Sequence, residues 1–342
     1  MKIRMMLNCF TQYSGGYKQI LLTNACFRFG HKIAILLLLL LASVHAFAQV
    51  DETTGIKEIA DGLRFPEGTV FVAKALYFVD YGKSQVLRID QGRVHVIWQH
   101  DGCGANGLVQ SANTLLIACY DDNSIVEIST DGRAISSINA DVDGEPLIHP
   151  NDLTGDHHGG VYFTASGSAD TPGKVYYRDD AHRIREVATG LSYANGVAVS
   201  PDGRTLYVAE SDAARILAFT ISAPGSLENR RVFATQAALG NLSPTERFTP
   251  DGVRTDAQGN VFIAEYNGGG IAVFDSDGQL RATARLPGAH HSNLAISPDG
   301  KSIFVTAVEN EANGESHGKL LQIPNPIVHQ HVGAVRVPST AR

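Results

Sequence analysis

Apolar and polar residues alternate along this chain in short runs. LYVAE from Leu206 and VFIAE from Val261 put every second side chain on one face, the period of a β-strand. A turn precedes each run, SPDGRT at Ser200 and TDAQGN at Thr255, and a short apolar stretch precedes the turn. A third strand follows: VLRID from Val86, IVEIS from Ile125, KVYYR from Lys174, ILAFT from Ile216, IAVFD from Ile271 and KLLQI from Lys319. RVHVIW from Arg93, IREVA from Ile184 and RVFAT from Arg231 read as a fourth, outer strand.

The pattern is a repeat. IKEIADGLRFPEG from Ile56 aligns without a gap on IREVATGLSYANG from Ile184, and NGVAVSPDGRTLYVAES from Asn195 resembles SNLAISPDGKSIFVTAV from Ser292 and DGVRTDAQGNVFIAEY from Asp251. Six units open at Glu67, Asn106, Asn151, Asn195, Asp251 and Asn293, separated by 39, 45, 44, 56 and 42 residues. That period with four strands predicts an all-β, six-bladed propeller of four-stranded antiparallel blades. IKEIA looks like an outer strand yet precedes the first full unit, so it is expected to complete the last blade and protect a sheet edge. The longest interval holds Ser222 to Thr249, rich in Pro, Gly and Asn, and is expected to be an irregular stretch over one face.

Ahead of the repeats, IAILLLLLLASVHA from Ile33 to Ala46 follows Arg28, His31 and Lys32 and precedes Ala46-Phe47-Ala48. This order describes a secretory signal peptide, and the run is shorter than the roughly 20 apolar residues a spanning helix needs. Residues 1–48 are therefore expected to be a removed leader and 49–342 a single propeller domain, exported to a periplasmic or secreted location with no retained membrane anchor. Cys103 and Cys119 then remain in an oxidising compartment, as two buried thiols or as one disulfide.

With 44% hydrophobic and 18% charged residues the chain has material for a large core. A formal charge of -7 and the lack of any lysine- or arginine-rich run argue against a nucleic-acid partner. No P-loop is visible, which disfavours nucleotide chemistry.

Inner strands of a propeller line its axis, so residues that open them form a ring at one height. Two carboxylates and four carboxamides fill those positions, with no lysine, arginine or hydrophobe among them. Such hard oxygens suit one divalent cation: Ca²⁺ best, since it takes about 6 to 8 oxygens in loose geometry, then Mg²⁺ or Mn²⁺, with Zn²⁺ less suited. Asn or Asp before Gly is also common turn chemistry, but Glu67 forms no turns and holds the same register. Pro-Asp-Gly at Pro201 and Pro298 falls inside hairpins, whereas at Pro250 it opens an inner strand. Asp80, Glu210 and Glu265 end second strands in matching register, either as acceptors for the ring amides or as ordinary polar strand ends.

PEG at Pro66, HPNDL at His149, ANGV at Ala194 and TPDGV at Thr249 together resemble the motifs of the SMP-30/gluconolactonase/LRE-like family. The resemblance runs from about Ile56 to Ile323 and implies a six-bladed propeller that hydrolyses sugar lactones with a divalent metal. The implied ligands fall on Glu67, Asn151, Asn195 and Asp251, leaving Asn106 and Asn293 as lining residues. Because the family also includes phosphotriester hydrolases and other lactonases, the resemblance fixes the site better than the substrate.

A cation held by two carboxylates keeps Lewis acidity for a lactone carbonyl. Asp251 is the expected group to orient or deprotonate the attacking water, or to attack directly, and His291 is the second catalytic candidate. His149 and His290 join Asn106 and Asn293 as candidate substrate contacts. Against this small-molecule lactonase stand a non-catalytic NHL-type binding propeller with a structural ion and a metal-independent propeller lyase.

Overall fold

Each repeat folds into one antiparallel sheet because its strands are short and their turns are supplied by Gly, Asp and Asn. The computed structural model describes residues 48–50, 55–239, 247–288, 290–310 and 315–328. All belong to one unit, Phe47–Arg342, and the apolar run of the expected leader lies outside the described residues. In the first blade Pro66–Val72, Ala75–Asp80, Gln85–Asp90 and Arg93–Gln99 follow one another from axis to rim. The other inner strands are Ala105–Ser111, Pro150–Gly155, Ala194–Val199, Pro250–Thr255 and His290–Ile296, and neighbouring ones touch around a closed circle.

Closure occurs as the repeat requires. Lys57–Leu63 is the outer strand of the sixth sheet, beside Ser316–Pro324 and Ser302–Asn310. Ala48–Val50 adds a short parallel strand to the rim of the fifth blade. Six apolar clusters hold the ring together. At the closing interface Phe78 and Leu87 of the first blade pack on Ala60, Leu63 and Leu320 of the sixth. A phenylalanine as buried as Phe78 contributes roughly 1.5–3 kcal/mol by leaving water. Sheets sandwiched this way bury both faces of a second strand such as Thr114–Cys119, while the rim strand Arg93–Gln99 stays largely exposed.

Near the axis there is little room. A Cβ on Gly107 would lie 2.2 Å from the Asn151 carbonyl oxygen, and one on Gly196 would lie 2.0 Å from that of Asp251. The glycine after the ring residue thus serves close approach of inner strands, not a turn.

The stretch from Ser222 is more regular than expected. Arg215–Ala223 and Ser226–Thr235 form a long hairpin with Pro224 and Gly225 at its turn. Its tip leans on the third blade, where the Tyr162 hydroxyl accepts from Gly225 N at 2.8 Å. Residues 240–246 lie outside the described residues, and the chain returns at buried Phe248.

Cys103 and Cys119 are disulfide-bonded, 16 residues apart with their Cα atoms 4.6 Å apart. The bridge ties the loop leading into the second blade to the end of its second strand. Closing a loop of this length is worth about 3 kcal/mol by the chain-entropy account. Replacing both cysteines by alanine is expected to lower Tm by about 5–10 °C, read by calorimetry. No change in Tm would remove the bridge from the account of stability.

Candidate active site at the mouth of the channel

Ladder pairing fixes which residues are equivalent. Pro66, Ala105, Pro150, Ala194, Pro250 and His291 pair with Asp80, Cys119, Ala165, Glu210, Glu265 and Ala307 of their second strands, beside the register shift that interrupts each ladder. The residues that come next are Glu67, Asn106, Asn151, Asn195, Asp251 and Ser292. Five of the six sequence positions are in register, and the sixth is corrected: Ser292, not Asn293, holds the equivalent position on the last inner strand.

Glu67, Asn106, Asn151, Asn195 and Asp251 share one cavity of about 490 Å³. All five are buried side chains. Asn151 donates from Nδ2 to Ser166 Oγ and Asn195 from Nδ2 to Ser211 Oγ, each at 3.1 Å. Ser166 passes its own proton to the Ala194 carbonyl and Ser211 to that of Pro250. Anchoring Nδ2 leaves Oδ1 on the other side of each amide, and Asn151 Oδ1 is buried without a hydrogen-bond partner.

The two carboxyls are electrostatically uncomfortable. Burial pushes Glu67 up to about 8, with Asp152 adding to the rise, while bonds from Gly68 and Asn293 and the charge of Arg254 oppose it. Asp251 is raised well above the usual carboxylate range by burial, then by Glu67 and Asp152, against a hydrogen bond from Asn195. An orphaned amide oxygen in the same cavity as two carboxyls that resist ionisation fits the donor chemistry of a hard cation. Among the described residues no three His, Cys, Asp or Glu side chains gather as a metal cluster, so a cation here needs carboxamide oxygens beside its two carboxylates.

One level deeper, Arg254 fills the channel. Its Nη1 donates to Asp152 Oδ2 at 2.7 Å and its Nη2 to Asp152 Oδ1 at 3.3 Å. Nη2 also reaches Asn293 Oδ1 at 2.9 Å, which accepts from Thr69 Oγ1 at 3.1 Å as well. With its oxygen so engaged, Asn293 turns Nδ2 to Glu67 Oε2, 3.4 Å away. Asn293 therefore supports Glu67 from below and does not line the cavity.

The histidines also change place. His291 is fully buried, its Nε2 is 3.2 Å from the Pro287 carbonyl, and burial lowers it to about 4. It is absent from the cavity wall, which removes the geometric basis for a catalytic role. His149 and His290 stand behind the wall, stacked on Tyr120 at 4.4 Å and on Tyr266 at 4.3 Å. Asp80 accepts from the backbone N–H groups of Arg64 and Phe65, and Glu210 from that of Ser192. These carboxylates brace the loops entering the inner strands; serines take the ring amides instead.

Sequence reasoning missed the walls. Phe65, Tyr81, Tyr120, Tyr193 and Tyr266 surround the ring, with Ser211, Asp212, Thr249 and Asn267 among them. Tyr81, Tyr120 and Tyr266 each directly follow a second-strand end, so the register that located the ring contains their signal as well.

Known proteins share this arrangement of blades. A diisopropyl-fluorophosphatase from Loligo vulgaris is 29% identical over 67% of this chain and 78% of its own length. The gluconolactonase of Zymomonas mobilis is 28% identical over 77% of this chain and 82% of its own. A solved gluconolactonase from Xanthomonas campestris superposes with a TM-score of 0.66 at 26% identity, covering 79% of this chain and 89% of that one. These relatives support a lactonase-type propeller with hydrolase activity. The family model for the SMP-30/Gluconolactonase/LRE-like region matches residues 65–309, and the chain belongs to that family.

Proposed function

We propose that this protein is a metal-dependent hydrolase that opens a sugar-type lactone at the channel mouth. The observation that carries the reading is the unpartnered Asn151 Oδ1 beside two buried carboxyls that burial holds back from ionising. Glu67, Asn151, Asn195 and Asp251 would hold one divalent cation, with Ca²⁺ preferred for an all-oxygen set. Bound there, it would polarise the lactone carbonyl and stabilise negative charge on its oxygen. Asp251 accepts a proton from the attacking water as the new C–O bond forms. The ring C–O bond then breaks, its oxygen takes that proton back from Asp251, and a hydroxy acid leaves. Asn106 lines the same cavity and contacts the substrate. Export to the periplasm or outside the cell is part of the proposal, supported by the leader pattern and by a disulfide suited to an oxidising compartment.

The test pairs turnover with stability. Hydrolysis of an aldonolactone panel, with a fluorophosphate ester added because of the Loligo vulgaris relative, is expected to stop in chelator and return with Ca²⁺. Between the ordinary carboxylate range and about pH 8 the folded, cation-free protein keeps a proton on Glu67 that the unfolded chain has lost. Its stability is therefore highest below that window and falls as pH rises through it. Chelated protein should lose Tm from pH 5 to pH 8, and Ca²⁺ should restore most at the alkaline end. Lactone turnover indifferent to chelator, with a Tm flat in pH, would overturn the reading.

A further inference from the structure

We infer that the paired phenol hydroxyls of Tyr120 and Tyr193 form the subsite that binds an uncharged oxygen of the substrate, an inference that rests on the lactonase reading. Both side chains line the cavity with Glu67, Asn151, Asn195 and Asp251. Their hydroxyl oxygens are 3.1 Å apart. Each phenol brings one proton, and the bond between them uses one. One O–H is thus left for a third oxygen, and among the described residues neither hydroxyl has another side-chain hydrogen-bond partner.

Several of the surrounding donors are directed elsewhere. Tyr81 gives its hydroxyl proton to Asp121 at 2.9 Å, Ser211 gives its own to the Pro250 carbonyl, and Asn267 Nδ2 donates to Thr249 Oγ1 at 3.1 Å. Thr249 and the second Nδ2 hydrogen of Asn267 keep protons as well, and the tyrosine pair differs from them in joining two phenols from separate blades.

The fold takes trouble to place these two rings. Tyr193 has φ 56 and His149 has φ 53, left-handed conformations that large side chains rarely adopt. Each stands two residues before a ring carboxamide, and both converge on Tyr120. The His149 ring lies flat on Tyr120 at an interplanar angle of 7°, while its Nδ1 sits 2.7 Å from the Gly167 carbonyl. Tyr193 meets Tyr120 at the hydroxyl, and its carbonyl accepts from Ser211 N. On the chain side Tyr120 follows the disulfide residue Cys119 and donates its N–H to the Gly104 carbonyl at 3.0 Å. Backbone strain held by such independent ties concentrates at functional sites. Even so, Tyr193 stays 39% exposed at the mouth, where a substrate would cover it.

Tyr120→Phe, Tyr193→Phe and the double variant test this in the Ca²⁺-loaded protein with the best lactone of the panel. Each single change should lower kcat/KM about 5- to 10-fold, the size of one neutral hydrogen bond, mostly through KM. Because the pair acts as one unit, the double variant should lose no more than the larger single loss. Tm should stay at the parent value, since both rings remain. Unchanged kcat/KM, losses that multiply, or a matching fall in Tm would each overturn the inference. Parent protein that turns over no lactone or ester removes the lactonase reading and this inference together; turnover retained by the Phe variants removes this inference alone.

Discussion

Asp251→Asn is expected to lower kcat/KM for lactone hydrolysis by about a thousandfold, within the range attributed to a positioned general base. The substitution keeps the shape of the side chain and the family of oxygen donors already present at Asn106, Asn151 and Asn195. It removes the carboxylate that takes the proton from water. Glu67→Gln supplies the contrast: losing a charged cation donor should weaken binding, so higher Ca²⁺ should recover much of its activity, whereas Ca²⁺ should not rescue Asp251→Asn. Stability should move the other way. Burial and the neighbouring carboxyls raise Asp251 well above the ordinary carboxylate range, so the cation-free fold holds a proton there more tightly than the unfolded chain does. Asparagine carries no such penalty, and in chelator the variant should melt above the parent. With saturating Ca²⁺ the order should reverse, because the parent binds the ion more tightly. Steady-state kinetics and paired melting curves check both halves; an Asn variant that retains parental turnover would remove Asp251 from the chemistry.

The ring was legible because a propeller converts sequence register into convergence at the axis. Aligning the SPDG turns of the fourth and sixth units sets Ser292 opposite Asn195, and choosing Asn293 follows residue type in place of register. The fold itself was readable from strand alternation and turn residues, down to the closing strand at Lys57–Leu63. What stayed hidden depends on direction. Tyr193 and His149 stand just before their inner strands in left-handed backbone, so strand periodicity does not say where their side chains go. His291 falls on a strand whose neighbours bury it entirely, a fact set by the packing of the closed ring. Arg254 was equally silent, since its partner Asp152 lies 102 residues away in another blade.

That pair carries the last expectation. Asp152 is 1% exposed and Arg254 17%, and their bidentate bonds join the third and fifth blades across the channel. Arg254→Met fills similar volume but leaves the Asp152 carboxylate buried with only the Leu153 and Val197 backbone N–H groups as donors. Removing one partner of a buried pair costs about 3–5 kcal/mol, because the remaining charge keeps its desolvation penalty without its counter-charge. Tm should fall by about 10 °C in a domain of this size. Adding Asp152→Asn to Arg254→Met removes the stranded charge while preserving the acceptor oxygen, so the double variant should recover most of the loss. Such non-additivity separates a charge effect from a cavity effect, which would leave the double variant as unstable as Arg254→Met alone. The same double change deletes a charge that helps raise Glu67 and one that lowers it, so the pH window of the cation-free protein should move little while its stability returns. A double variant no more stable than Arg254→Met would mean that the arginine holds the channel by packing.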